Sequence, residues 1–168
     1  MDAAKLQWIQ DIAVAAALAK HVYPEMAACE AALESSFGQS ELAREGRNLF
    51  GLKLHRHSLH GYLAIPTKEF LGGEWVVQNA QWMKYDTIEE CFEDRMATLQ
   101  RLAGAYPHYA AALVARDAIG YVTEVSKTWS TDPERAAKVI AIFNEYFPLM
   151  ERAQSNHQAV QDAAQSES

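Results

Sequence analysis

Helical spacing of apolar residues runs through almost all of this 168-residue sequence and fails in one place, between Leu52 and Val77. There Tyr62, Ile65, Phe70, Trp75, Val76 and Val77 favour extended backbone, punctuated by Gly61, Pro66 and Gly72-Gly73. Two or three short strands are expected, forming a small hairpin lobe on an otherwise helical body. Before it, Trp8, Ile9, Ile12, Ala16 and Ala19 mark one face of an opening helix over residues 5–20. His21-Val-Tyr-Pro24 interrupts that helix, and Pro24 suits the first turn of a second one reaching about Ser35. Glu41 to Glu45 can add a further helical turn before Gly46. After the lobe, Asp86 or Thr87 caps a helix with Glu89 and Glu90 in its first turn, where the backbone dipole favours acids. Ala110 to Arg116 and Ile119 to Thr128 read as shorter helices. A last helix, capped by Thr131 or Asp132, starts at Pro133 and runs through Val139 and Phe143 to Tyr146. The chain is thus expected to be mainly α, of α+β type, with one domain over residues 1–152. Residues 153–168, rich in Gln, Ser and Ala, are expected to be a polar disordered tail.

Composition narrows the function classes. A formal net charge of −7 argues against nucleic acid, whose binding rests on Lys and Arg neutralising phosphates. The apolar run 12–19 is too short to span a bilayer, and no basic leader or cleavage site precedes it. The sequence therefore predicts synthesis in the cytoplasm without a signal peptide. Cys29 and Cys91 sit in helical, apolar surroundings and read as reduced buried thiols, though a disulfide between them stays open. On a strand His55 and His57 would share a face, but Arg56 between them repels a cation, so solvated residues and no metal are expected. No cofactor is implied, since neither a phosphate loop nor a dinucleotide fingerprint is present.

The segment with chemical promise is Glu34-Ser-Ser-Phe-Gly-Gln-Ser40, followed by Asn48-Leu-Phe-Gly51. It sets one acid at the end of an apolar helix, with Phe37, Leu49 and Phe50 nearby. Gly38 and Gly51 suit left-handed backbone or a close approach to ligand. A carboxyl group half covered by apolar neighbours is favoured in its neutral form, as a general acid requires. Read on its own, a Glu after Ala-Ala-Leu is more often a solvated helix residue.

Further segments follow: Thr67-Lys-Glu-Phe70 with Gly72-Gly73, then Gln81-Trp-Met-Lys-Tyr85-Asp-Thr-Ile-Glu-Glu90, then Thr131-Asp-Pro133. Together and in this order, they resemble the glucosaminidase family of peptidoglycan hydrolases, glycoside hydrolase family 73, over roughly residues 7–147. That family includes flagellar-rod hydrolase domains, autolysins and phage endolysins. The resemblance implies a lysozyme-like helical domain with a small β-hairpin lobe. It implies an endo-β-N-acetylglucosaminidase that cleaves the β-1,4 bond between N-acetylglucosamine and N-acetylmuramic acid. The expected partner is the peptidoglycan glycan strand, met by a monomer in the cell wall after release or export.

Glycoside hydrolysis usually needs two carboxyl groups. Glu34 is the expected acid. The resemblance places Glu69 on the hairpin facing the groove as its partner, with Glu74 as rival and the substrate's own N-acetyl group as a third possibility. Sugar faces stack on aromatic rings, so Phe50, Tyr62, Trp75, Trp82, Tyr85, Tyr121 and Trp129 are candidate groove residues, core packing being the alternative for each. Ser36, Ser40 and Asn48 are expected to shape the loop. One departure stands out. The family usually carries a Tyr just before its Ala-Thr-Asp-Pro motif, where this chain reads Trp129-Ser130-Thr131-Asp132-Pro133. Indole cannot act as a phenol, so Tyr121 or Tyr85 supplies a hydroxyl or none is needed. A muramidase, a lytic transglycosylase, and a noncatalytic wall-binding protein with a degenerate site are the rival readings.

Overall fold

The computed structural model describes residues 1–146, apart from the side chains of residues 67–70. The expected tail and the domain limit at 152 lie outside the described residues. The chain runs α1 (Ala3–Leu18), α2 (Pro24–Ser35), α3 (Glu41–Gly46), β1 (Gly61–Leu71), β2 (Glu74–Lys84), α4 (Ile88–Leu102), α5 (Pro107–Leu113), α6 (Ala118–Trp129) and α7 (135–146).

Local chemistry sets the helix starts. Asp2 accepts from the Ala4 amide at 2.9 Å, satisfying a donor that the helix itself cannot. Thr87 and Glu90 form a reciprocal capping box at α4. Asp117 accepts from the Gly120 amide at 2.7 Å. Pro107 in the first turn starts α5 earlier than the expected Ala110. Asp132 accepts from the Glu134 amide at 2.9 Å, and the chain turns through Pro133 so that α7 begins at residue 135 rather than 133.

Helix α1 lies against α2 and α4, α4 against α5, and α5 against α6. Ala13, Ala16, Ala27, Ala28 and Ala31 are fully buried, small side chains that let neighbouring helices approach closely. Around them Ile9, Met26, Phe92, Leu99, Val122 and Val139 fill the core, each large apolar side chain contributing about 1.5–3 kcal/mol by its removal from water. Cys29 and Cys91 are free and buried. Burial pushes the Cys91 thiol up to about 12 and raises that of Cys29 as well.

The lobe is one antiparallel hairpin, paired from Gly61↔Lys84 to Leu71↔Glu74. Its two strands of 11 residues each are longer than expected, because Gln81-Trp-Met-Lys84 continues β2. Gly72 and Gly73 have φ of 59° and 84°, the positive pair that a tight turn matched to strand twist requires. Residues 52–54 run along the other edge of β2, with the Leu54 amide on Gln81 O and the Met83 amide on Leu52 O, both at 2.9 Å. Among the described side chains the lobe is anchored in the body at its base, through buried Met83 and Tyr85. Toward the turn, Trp75 and Val77 are 71 % and 67 % exposed.

Candidate active site

Helix α2 carries Glu30 and Glu34 one turn apart, which puts both carboxylates on one side of the helix. Their surroundings differ sharply. Glu30 is fully buried. Its Oε2 accepts from Arg95 Nη2 at 2.9 Å and Arg135 Nη2 at 2.7 Å, and its Oε1 accepts from the Tyr121 hydroxyl at 2.7 Å. Burial opposes the Glu30 charge, but Arg95 and Arg135 outweigh it and bring the carboxyl down to about 2. Glu34 has a side chain 26 % exposed, and its Oε1 accepts from Arg135 Nε at 2.7 Å. Its Oε2 takes no hydrogen bond among the described residues. Beside the apolar neighbours that the sequence suggested, its direct partner is a guanidinium, which the sequence did not indicate.

The loop after Glu34 is held in a demanding backbone conformation. Ser36, Phe37 and Gly38 have φ of 52°, 54° and 77°. Left-handed backbone at non-glycine residues is costly unless the surroundings enforce it. Here Ser35 Oγ accepts from the Gly38 amide at 2.9 Å, and Phe37 packs between Trp8 and Tyr146. A Cβ at residue 38 would lie 2.5 Å from Trp8 Nε1, so glycine is required there for space as well as for φ. Gly51 is also left-handed, at φ of 63°. Asn48 fastens the next turn, donating to Leu52 O at 2.8 Å and Met83 O at 3.0 Å. Ser40 caps α3. Both residues shape the backbone, as the sequence suggests.

Glu34 lines an open groove of about 440 Å³ together with Phe50, Lys53, Trp82, Tyr109 and Trp129. The aromatic wall rests on a hidden cation. The Arg95 guanidinium carbon lies 4.4 Å from the Phe50 ring centre and 3.9 Å from that of Trp129, so both rings have a charged backing. Lys53 Nζ stands 5.6 Å from the Trp82 ring. Indole is the ring that attracts a cation best, which gives Trp129 a structural reason to stand where the family usually has Tyr.

Of the candidates read from the sequence, Glu34, Phe50, Trp82 and Trp129 come together at this groove. Tyr62 and Trp75 lie exposed on the hairpin, outside the groove lining. Tyr85 and Tyr121 do not reach it, and their assignment as substrate-binding residues is corrected. Both are fully buried. Tyr85 donates to Asp94 at 2.5 Å and Tyr121 to Glu30 at 2.7 Å. Burial, with Glu30 as acceptor, raises the Tyr121 phenol well above its ordinary range. The groove tyrosine is instead Tyr109, on α5, its ring centre 6.2 Å from that of Trp129. Glu69 stands opposite Val76 in β1 and its side chain lies outside the described residues. Glu74 is exposed beside the hairpin turn.

The fold brings carboxylates to the histidine cluster that are distant in sequence. His55 Nε2 lies 3.2 Å from Asp94, and His60 Nδ1 lies 3.8 Å from Glu90. Among the described residues no group of three or more metal-ligating side chains forms, and no helix is long and apolar enough to cross a membrane.

Sequence reasoning missed Glu30, Arg95, Arg135 and Tyr109. The signal for the first three is present: each charge occupies an apolar helical stripe, Arg95 among Cys91, Phe92 and Leu99, and Arg135 one turn before Val139.

Comparison with known proteins gives a consistent picture. Residues 10–147 match the family model Glucosaminidase, described as mannosyl-glycoprotein endo-beta-N-acetylglucosaminidase. A probable N-acetylmuramidase of Lactococcus lactis subsp. cremoris is 31 % identical over 147 residues, covering 83 % of this chain and 33 % of that protein. The exo-glucosaminidase LytG of Bacillus subtilis is 32 % identical over 139 residues, covering 75 % of this chain and 45 % of LytG. The chain therefore spans between a third and a half of these relatives' length. The catalytic domain of the autolysin Auto from Listeria monocytogenes superposes with a TM-score of 0.73 at 25 % identity, covering 90 % of this chain and 88 % of that domain.

Proposed function

The chain belongs to the glucosaminidase family, and from that premise we propose that it is a peptidoglycan hydrolase, an endo-β-N-acetylglucosaminidase acting on the cell wall as a monomer after release or export. Glu34 is its general acid, giving a proton to the leaving glycosidic oxygen. The observation that carries this reading is the placement of Glu34 in the aromatic-walled groove, where it is the one carboxylate among the described lining residues. Trp129 offers stacking surface for pyranose rings, with the buried Phe50 ring packed edge-to-face against it, and Tyr109 offers the phenol that Trp129 lacks.

Glu69 is the proposed second carboxylate. Position 69 has the same strand parity as position 63, whose ladder partner is the groove residue Trp82. The alternative is attack assisted by the substrate's N-acetyl group, which needs no second protein carboxylate. Separation between two such groups bears on the stereochemical outcome. A muramidase reading is favoured by one observation, the name of the Lactococcus relative.

The deciding experiment is digestion of purified sacculi, borohydride reduction and mass spectrometry of the released fragments. Reduced glucosamine ends are expected. Reduced muramic ends would make the protein a muramidase, and anhydro-muramic ends a lytic transglycosylase. Tight sacculus binding without release would leave only a wall-binding role.

A further inference from the structure

Glu30 takes no direct part in a mechanism built on Glu34 and an aromatic groove, yet it organises everything around both. It holds two arginines, and they diverge. Arg135 turns toward the acid: with Nη2 on Glu30 at 2.7 Å and Nη1 on Ser126 Oγ at 2.8 Å, its remaining edge presents Nε to Glu34 Oε1 at 2.7 Å. Three acceptors in three directions fix the guanidinium plane, and that plane fixes one oxygen of Glu34. The terminal torsion of a glutamate is otherwise soft, so a carboxyl without such a partner would spread over many orientations. With Oε1 engaged, Oε2 is the oxygen left to carry and deliver a proton. Arg95 turns the other way, from Glu30 to the space between Phe50 and Trp129.

From this geometry we infer that Glu30 is a positioning hub, aiming the Glu34 carboxyl through Arg135 and holding the sugar platform through Arg95. The inference rests on the reading of Glu34 as the acid. Charge balance explains why the hub must be an acid. Two buried guanidiniums, Arg95 and Arg135, both donate to Glu30, so without it they would lose their one fully buried counter-charge. Neither arginine lines the groove. Both act through other side chains, and by separable routes.

The two routes predict different kinetic signatures. The double variant Glu30→Gln/Arg135→Gln removes one charge of each sign and leaves the amide oxygen at position 30 as an acceptor for Arg95, and a thermal melt beside the kinetics reports whether it folds. It is expected to bind soluble glycan fragments with unchanged stoichiometry while kcat falls about 100-fold, the scale of a misaimed catalytic group. Arg135→Lys keeps the charge but not the fork, and should retain an intermediate kcat. Arg95→Lys loses the flat face that backs the rings, and should raise KM about tenfold with a smaller change in kcat. A merely structural role would instead lower the fraction of molecules able to bind, and would not split kcat from KM. The inference is overturned if the double variant keeps kcat within about threefold of the parent. Should the double variant not fold, Arg135→Lys decides: an unchanged kcat there overturns it equally. Full activity in Glu34→Gln would strike at the acid itself, a different failure from these.

Discussion

The helical body and the hairpin lobe meet at the same groove, yet they are held by different forces. In the body, side chains from α2, α4, α6 and α7 close on one another around Glu30, and a single change disturbs several helices. The hairpin is held mainly by its own ladder, and its described side chains are mostly exposed and buried against the body only at its base. Glu34 therefore stands on the densely packed side of the groove, and Trp82 faces the groove from the hairpin side. A catalytic carboxyl needs a fixed aim, whereas a surface that follows a long polymer can tolerate movement.

The sharpest test of this division is catalytic. Glu34→Gln should cut kcat by about 10²–10⁴-fold with the fold intact, as measured by sacculus digestion beside a thermal melt. Glu69→Gln tests whether the lobe shares the chemistry. A comparable loss would make the hairpin a catalytic partner, and a loss below tenfold would favour assistance by the substrate.

Next in size is the hub. Glu30→Ala leaves two buried guanidiniums short of a partner and should cost about 3–5 kcal/mol in denaturant unfolding. A cost below about 1 kcal/mol would mean that the body is no more integrated than the lobe.

Acid should also act on the body. His21 is buried against Phe92 and Tyr121, and burial, with Arg95 nearby, lowers its pKa from 6.5 to about 4. Between those values the unfolded chain takes up a proton that the folded chain refuses, so stability falls as pH drops from 6.5 to 4. The loss amounts to about 3 kcal/mol. Glu30 continues the trend below, from 4.5 toward about 2, because its carboxylate is stabilised only in the fold. His21→Leu should flatten the upper window and leave the lower one, as followed by melting temperature against pH.

The smallest effect is expected on the lobe. Trp75→Ala should change stability by no more than about 0.5 kcal/mol. Any effect on sacculus binding would then be a direct one, free of unfolding.

The same division governs what the sequence disclosed. Apolar spacing located the long helices, and the Gly72-Gly73 pair located the turn, because these are local signals. The position of Glu34 at the groove was legible because it is the acid at a helix end beside a Gly- and Ser-rich loop. Its partner was not, since Arg135 lies 101 residues away, and a charged residue on a helix is ordinarily a solvated one. Tyr85 and Tyr121 misled for the converse reason. A tyrosine near a motif looks available, but both hydroxyls are bonded to buried or half-buried carboxylates. The far ends of β1 and β2 were obscured because the motif at Gln81 reads as a helix approach while its backbone still belongs to the ladder.

The Arg95 guanidinium packed against the edge-to-face pair of Phe50 and Trp129 gives the protein an optical property. An indole pressed against a guanidinium on one side and open to the groove on the other has an emission that depends on what fills the open side. On the proposed function, a glycan strand entering the groove would change the polarity around that ring, and around Trp82 across from it, without any label being attached. Occupancy of the site is thus written into the chain's own fluorescence, readable in real time and in variants that no longer cut.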